Sequence, residues 1–145
     1  MERILVGLDG SDRSKDVLDV AVTLARKVGG KLVLFRGVGI PVEVPQAAYS
    51  MSPAEVAELL QKEAKDYLDR VAATVPAELG AEVRVAFGTP WKSVCAAAGE
   101  LRVDLIIIGS HGYGGIDRVL GTTAAKIVNH AATSVLVVRS HALAE

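Results

Sequence analysis

The sequence is poor in cysteine, in aromatic side chains and in net charge, and each shortage excludes a class of protein. Cys95 is the single cysteine, so the chain can form neither an internal disulfide framework nor a multi-cysteine zinc site. Aromatic residues make up only 4% of the chain, which is too few for a platform that stacks nucleic-acid bases. The 16 basic and 17 acidic side chains leave a formal net charge of −1, so no overall attraction to nucleic acid or to an anionic membrane is expected.

Long apolar runs are missing as well. A helix needs about 18 consecutive apolar residues to cross a bilayer, whereas the longest run here, around Leu105–Gly109, has the length of a strand. Met1 leads within a few residues into a strand pattern, so no signal peptide is expected. Half of the 145 residues are hydrophobic and 23% are charged, which is typical of a folded domain. We therefore expect one soluble, cytoplasmic domain over residues 1–145.

Strand-like and helix-like patterns alternate along the whole chain. Short apolar runs typical of strands occupy residues 3–8, 31–36, 82–87, 104–108 and 134–139. Between them, apolar side chains recur at the spacing of one helix face over residues 14–28, 53–71, 90–101 and 122–132. Such alternation is typical of a parallel sheet with right-handed crossovers. We predict a doubly wound α/β domain with helices on both faces, whose five parallel strands lie in the order 3-2-1-4-5.

Two loops follow predicted strands at the edge where open parallel sheets bind their ligands. The first begins at Asp9, and the second begins at Gly109 and leads to Gly121, Thr122 and Thr123 at a predicted helix start. Five glycines lie between positions 109 and 121, and glycine lets the backbone approach a ligand closely. Free N–H groups at a helix N-terminus favour a bound phosphate. A phosphate site is one interpretation; the other is a surface loop followed by a threonine-capped helix, with no ligand.

The common phosphate-binding motifs do not fit this second loop. A Walker A motif requires a lysine after its last glycine, and no such lysine occurs here. The dinucleotide motif Gly-x-Gly-x-x-Gly fails at Asp117, where a glycine is required. Any phosphate site in this chain must therefore be of another type.

Several segments near the two ends of the chain form a more specific pattern. They are ILVGLDGS at positions 4–11, IIGSHG at 107–112, LGTTA at 120–124, HA at 130–131 and SVLVVR at 134–139. In this order they resemble the universal stress protein family, and in particular its nucleotide-binding branch. Members that bind ATP carry the motif Gly-x2-Gly-x9-Gly-Ser/Thr. Gly109 and Gly112 match its first half, while eight residues rather than nine separate Gly112 from Gly121.

The resemblance implies that the ligand is ATP together with Mg²⁺. Asp9 would meet the ribose or a metal ion bound to the phosphates, and Val38 would lie against the adenine. The triphosphate would be surrounded by Gly109, Gly112, Gly121, Thr122 and Thr123.

The resemblance also implies a small regulatory protein of the stress response. Because the sequence has no Walker lysine and no arginine-finger pattern, any ATP hydrolysis should be slow. Two alternatives remain open at this point. One is an enzyme that hydrolyses or transfers a nucleotide in the same cleft, and the other is an interaction module whose glycine loop is empty.

The last predicted strand suggests a homodimer. It reads SVLVVR, with high β propensity, no proline and a charge only at its end. In this topology the last strand lies at a sheet edge, where unpaired N–H and C=O groups invite another chain. We predict two-fold antiparallel pairing with the same strand of a second copy, an arrangement that the resemblance also implies.

Three conspicuous side chains are given structural roles. His111 has no serine, carboxylate or metal-ligand partner at a suitable spacing, so we expect it to shape the glycine loop rather than act as a base. Cys95 lies on a helix face of small residues and is interpreted as a buried, inert thiol. Trp91 is interpreted as a partly exposed packing anchor at a helix start.

Overall fold

Strands and helices alternate in this computed structural model, which describes residues 1–39, 50–110 and 120–139. The strands are β1 (Arg3–Gly7), β2 (Lys31–Val38), β3 (Glu82–Phe87), β4 (Leu105–Gly109) and β5 (Val135–Val138). The helices are α1 (Ser14–Val28), α2 (Pro53–Ala72), α3 (Pro90–Glu100) and α4 (Thr122–His130), and a short 3-10 turn (Ala77–Leu79) follows α2. None of the helices within these ranges is long and apolar enough to cross a membrane.

The five strands form one sheet in the order β3-β2-β1-β4-β5, and every neighbouring pair is parallel. This confirms the predicted doubly wound fold. β1 lies at the centre, with Ile4 opposite Leu32 of β2 and Leu105 of β4. The chain runs outward from β1 on both sides, so the strand order reverses between β1 and β4. The loops that follow these two strands therefore leave the sheet side by side, at the place where such folds bind ligands.

The central strand divides the hydrophobic core into two layers. Ile4 and Val6 of β1 point to the layer under α1 and α2, whereas Leu5 points to the layer under α3 and α4. All three side chains are fully buried. Since burying one such side chain contributes about 1.5–3 kcal/mol, β1 is anchored firmly from both faces. The loop after β1 thus starts from a fixed point.

Element ends follow local signals in some places and long-range pairing in others. The sequence Ser52-Pro53-Ala54-Glu55 is a capping pattern that predicts a helix start, and α2 begins there: the Glu55 N–H donates to the Ser52 side chain at 3.2 Å. β2 extends to Val38, beyond the predicted end at residue 36. Val38 pairs with Phe87 of β3, and its C=O accepts a bond from the Gly88 N–H at 2.8 Å. Pairing with a distant strand, rather than the local sequence, sets this end.

Candidate functional site

The crevice between β1 and β4 is kept narrow by glycine at the ends of both strands. A Cβ added at Gly7 would lie 3.0 Å from Ile108 Cγ2, and one added at Gly109 would lie 3.3 Å from Val17 Cγ2 on α1. Both distances are tighter than ordinary van der Waals contact. Glycine at the ends of β1 and β4 therefore avoids crowding where the two loops leave the sheet.

The loop after β1 is organised around the carboxylate of Asp9. Its Oδ1 accepts bonds from the Ser11 N–H (2.9 Å), the Ser11 hydroxyl (2.6 Å) and the Ser14 hydroxyl (2.9 Å). Burial of the carboxylate raises the pKa of Asp9, but the hydrogen bonds lower it by more, so the net pKa lies below its ordinary value. Asp9 is therefore an anion at neutral pH, held at the start of α1.

This arrangement leaves one oxygen of Asp9 for other partners. All three bonds use Oδ1, and none of them uses Oδ2. Within the ranges that the structure describes, no group of three or more His, Cys, Asp or Glu side chains could hold a metal ion.

The start of α4 is organised in the opposite way. Gly121 is the N-cap residue and has no side chain to cap the helix. Its N–H donates to the Ser110 C=O at 2.9 Å, and its C=O accepts from the Ala125 N–H. The next N–H groups, from Thr122 onward, have no acceptor within the helix, and the first turn carries no acidic side chain. This end of the helix can thus accept an anion.

Ser110 lies between β4 and α4, and a role for it was not predicted from the sequence. Its N–H donates to the Val138 C=O at 2.9 Å and its C=O accepts from the Gly121 N–H, so its backbone ties β4 to β5 and to α4. The residue is 1% exposed, and its hydroxyl has no hydrogen-bond partner in the described part of the chain. A buried hydroxyl without a partner costs about 1–3 kcal/mol. In the sequence, Ser110 is marked only by its place directly after Gly109, the last residue of β4.

Arg36 of β2 is a second residue whose place beside the loop after β1 was not predicted from the sequence. Its guanidinium stacks over the Tyr67 ring, 5.3 Å from the centroid. A Cβ at Gly10 would lie 2.9 Å from Arg36 Nη1, so the cation rests against the backbone next to Asp9. Gly10 has φ +80°, a conformation that favours glycine on its own account. The loop after β1 is therefore packed against a cation from the neighbouring strand.

The remaining predicted site residues are placed as follows. Val38 is buried at the end of β2. It pairs with Phe87 of β3, and its C=O accepts a bond from the Gly88 N–H. Thr122 and Thr123 are exposed at the start of α4. Gly112 and His111 lie outside the described residues. The threonine-capped alternative is wrong in its detail, since Gly121 is the N-cap.

Two side chains outside the crevice keep structural roles. The Trp91 ring stacks on His130 with 4.7 Å between centroids, and the Lys92 and Lys126 ammonium groups lie 5.6 and 5.8 Å from its centroid. Trp91 is half-buried and acts as a packing anchor between α3 and α4. Burial raises the pKa of the half-buried Cys95 thiol, which keeps it protonated and unreactive at neutral pH.

Sequence and fold are both similar to those of universal stress proteins. The universal stress protein family matches residues 1–139. A putative universal stress protein of Staphylococcus haemolyticus is 30% identical over 149 aligned positions, which cover 99% of this chain and 88% of the relative. The universal stress protein UspA from Lactobacillus plantarum has 26% identity and a TM-score of 0.74, covering 95% of this chain and 97% of that one. A universal stress protein solved in complex with cAMP has 27% identity and a TM-score of 0.62, with 95% and 97% covered.

Proposed function

The chain belongs to the universal stress protein family, and from this premise we propose that it is a small regulatory protein that binds ATP in the crevice between β1 and β4. The relative solved with cAMP supports an adenine nucleotide as the ligand class. We place this protein in the cytoplasm, where it would respond to nucleotide rather than turn over a substrate rapidly. Any hydrolysis would be slow, because the chain has no Walker lysine.

The open N-terminus of α4 is the observation that carries this proposal. The helix starts at Thr122 with no acidic residue in its first turn and with a glycine as its cap. Its N–H groups and dipole suit the negative oxygens of a phosphate. The buried hydroxyl of Ser110, which lacks a partner in the described ranges, lies directly after Gly109 at the start of the glycine loop. An anion at this position would satisfy groups that have no partner among the described residues.

The proposed roles follow from position in the crevice. Gly109, Gly112, Gly121, Thr122 and Thr123 would surround the triphosphate. Asp9 would use Oδ2 to bind the ribose or a Mg²⁺ ion held by the phosphates, since Oδ1 is already engaged. Val38 would lie against the adenine at the end of β2. Bound Mg²⁺ would offset phosphate charge, which matters beside an ionised Asp9.

Replacement of Gly121 by valine tests the site. The backbone there has φ −60° and ψ 161°, which valine adopts readily, so the variant should fold. Its branched side chain would stand where the phosphates bind and should abolish binding of ATP–Mg²⁺ in calorimetry. Gly99→Val is the matched control, because a Cβ at Gly99 on α3 meets nothing within 4 Å. Unchanged ATP affinity in folded Gly121→Val protein would show that the site is elsewhere.

We also propose that two copies pair through β5. The Ile106 N–H donates to Ser134 and the Ser110 N–H donates to Val138, so even-numbered residues of β5 turn their carbonyls to β4. Val135 and Val137 then turn their backbone groups outward, away from the sheet. Val137→Pro should remove an outward N–H and shift the protein toward monomer in light scattering. Monomeric wild-type protein at micromolar concentration would rule this dimer out.

A further inference from the structure

The opposite edge of the sheet, β3, offers backbone hydrogen bonds on its outer side. The Gly88 N–H donates to Val38 of β2, which fixes the direction of the alternation along β3. Even-numbered residues turn their backbone groups toward β2, so Val83, Val85 and Phe87 turn theirs outward. No strand pairs with this side within the described ranges. β3 can therefore accept one more strand.

Half of the residues that line a groove beside this edge are basic. The groove has a volume of about 380 Å³ and is lined by Gln61, Lys62, Lys65, Val83, Arg84 and Val85. The first three belong to α2 and the last three to β3. The two valines are half-buried against the core and supply an apolar floor. None of the lining residues carries a negative charge, although Lys65 also bonds to Asp69 at 2.8 Å on the helix surface.

The charges at this edge decide which occupant fits. In two-fold antiparallel pairing of β3 with a second copy, both α2 helices would lie on the same face and would bring Lys62 and Lys65 toward their copies. Like charges disfavour that contact. Nucleic acid needs a longer basic track than this groove offers, and the chain has a net charge of −1.

We propose that the β3 edge and this groove form a docking site for an extended acidic segment of a partner protein. The segment pairs with the outward backbone groups of Val83, Val85 and Phe87 as a sixth strand. Every second side chain of the segment points to the face that carries α2, where carboxylates meet Lys62 and Lys65. The side chains between them lie beside Glu82 and Arg84, which already pair with each other at 3.8 Å, so small neutral residues suit those positions.

A synthetic peptide tests the charge requirement. An eight-residue probe of alternating glutamate and threonine, with a fluorescent label, should bind the full chain saturably in anisotropy titrations. The double variant Lys62→Glu/Lys65→Glu should lower its affinity by at least about tenfold. Lys15→Glu/Lys27→Glu on α1 changes the net charge equally, outside the groove, and should lower it by no more than about twofold. Equal losses in both double variants, or no binding to the unmodified chain, would overturn the proposal.

Amide hydrogen exchange tests the strand pairing separately. In the free protein the Arg84 and Ala86 amides should already be protected by β2, whereas Val83, Val85 and Phe87 should exchange fast. Addition of the peptide should protect these three amides. Protection elsewhere, or protection that grows with protein concentration alone, would contradict the proposal, and the second result would identify another copy as the occupant. Tighter binding of an eight-nucleotide oligothymidylate than of the peptide would contradict it too.

Discussion

The starts of α1 and α4 occupy equivalent places beside the same crevice, yet they treat negative charge in opposite ways. At α1 the chain supplies its own anion: Asp9 accepts bonds from Ser11 and Ser14, the first residue of the helix. At α4 the cap is Gly121, and the first turn has no acidic residue. At α1 a carboxylate of the protein is hydrogen-bonded to the hydroxyl of the first helical residue, whereas within the described ranges no acidic side chain lies in the first turn of α4.

The difference shows that position in the fold does not by itself make a ligand site. Both helices follow strands at the topological switch point, where ligands bind in this class of fold. Both have N–H groups that need acceptors. A helix whose N–H groups have no acceptor among the described residues can gain free energy from an external anion. Substitutions that add a carboxylate at one helix start, or remove it from the other, test this difference.

A carboxylate placed at the start of α4 has the largest expected effect. Gly121→Asp gives α4 a carboxylate at its cap, and φ −60° with ψ 161° is a conformation that aspartate adopts. The side chain should raise the free energy of unfolding by only about a few tenths of a kcal/mol, because glycine is already tolerated as a helix cap. It should also weaken ATP binding by about 100-fold or more, because it repels and replaces the phosphate. Calorimetry with ATP–Mg²⁺ and urea unfolding measure the two effects.

Gly121→Asn is the matched control, since it caps the helix without a full charge. It should stabilise the protein similarly and weaken ATP binding less than Gly121→Asp does. Equal ATP affinities for wild type and Gly121→Asp would refute the idea that this helix start binds phosphate.

Removal of the internal anion should have the next largest effect. Asp9→Ala deletes the acceptor of three hydrogen bonds, one of them to the buried Ser14. The free energy of unfolding should fall by about 1–3 kcal/mol without loss of the fold. ATP binding should also weaken if Oδ2 meets the ribose or the metal. Urea unfolding and calorimetry on the same sample separate the two roles, and an unchanged ATP affinity would leave Asp9 as a turn residue alone.

The pH dependence of stability gives a smaller effect with a defined sign. Because the folded pKa of Asp9 is below its unfolded value, the carboxylate stabilises the protein above the unfolded pKa of about 3.9. This contribution is lost as the pH falls through the folded pKa. Asp9→Asn should therefore lose less stability than wild type between neutral pH and the onset of acid unfolding. The pKa of Asp104 is also lowered, by bonds from the Glu2 and Arg3 N–H groups. Asp104→Asn therefore serves as the reference for a variant that has lost another carboxylate of lowered pKa. Parallel curves for wild type and Asp9→Asn would contradict this prediction.

The sequence predicted the fold because its signals are local. The range of α1 and the range of β3 are as predicted, since apolar spacing at 3.6 and 2 residues needs no distant partner. The capping pattern at Ser52 marked the start of α2 for the same reason. The alternation of strands and helices predicted a parallel sheet, which is confirmed together with the predicted strand order.

Features that depend on contacts distant in sequence could not be predicted. β2 reaches Val38 because of Phe87, which lies far along the chain. Arg36 rests against Gly10 across two neighbouring strands. Within the site, the positions of Asp9 and Gly121 followed from strand and helix ends, but the isolation of the Ser110 hydroxyl depends on Val138 and α4 closing around it. Hydrogen-bond satisfaction is a property of the packed structure.

The smallest expected effect concerns two serines that differ only in their partners. Ser14 and Ser110 are the two polar residues that are almost fully buried in the described part of the chain, at 4% and 1% exposure. The Ser14 hydroxyl donates to Asp9, whereas the Ser110 hydroxyl has no partner there. Ser14→Ala should lower the free energy of unfolding by about 1–2 kcal/mol, because Asp9 loses a bond to its charge. Ser110→Ala removes an unsatisfied group at nearly constant volume and should leave the ligand-free protein unchanged or up to about 1 kcal/mol more stable. Urea unfolding without nucleotide compares the two directly. A loss of stability in Ser110→Ala as large as in Ser14→Ala would show that the Ser110 hydroxyl also has a hydrogen-bond partner within the protein.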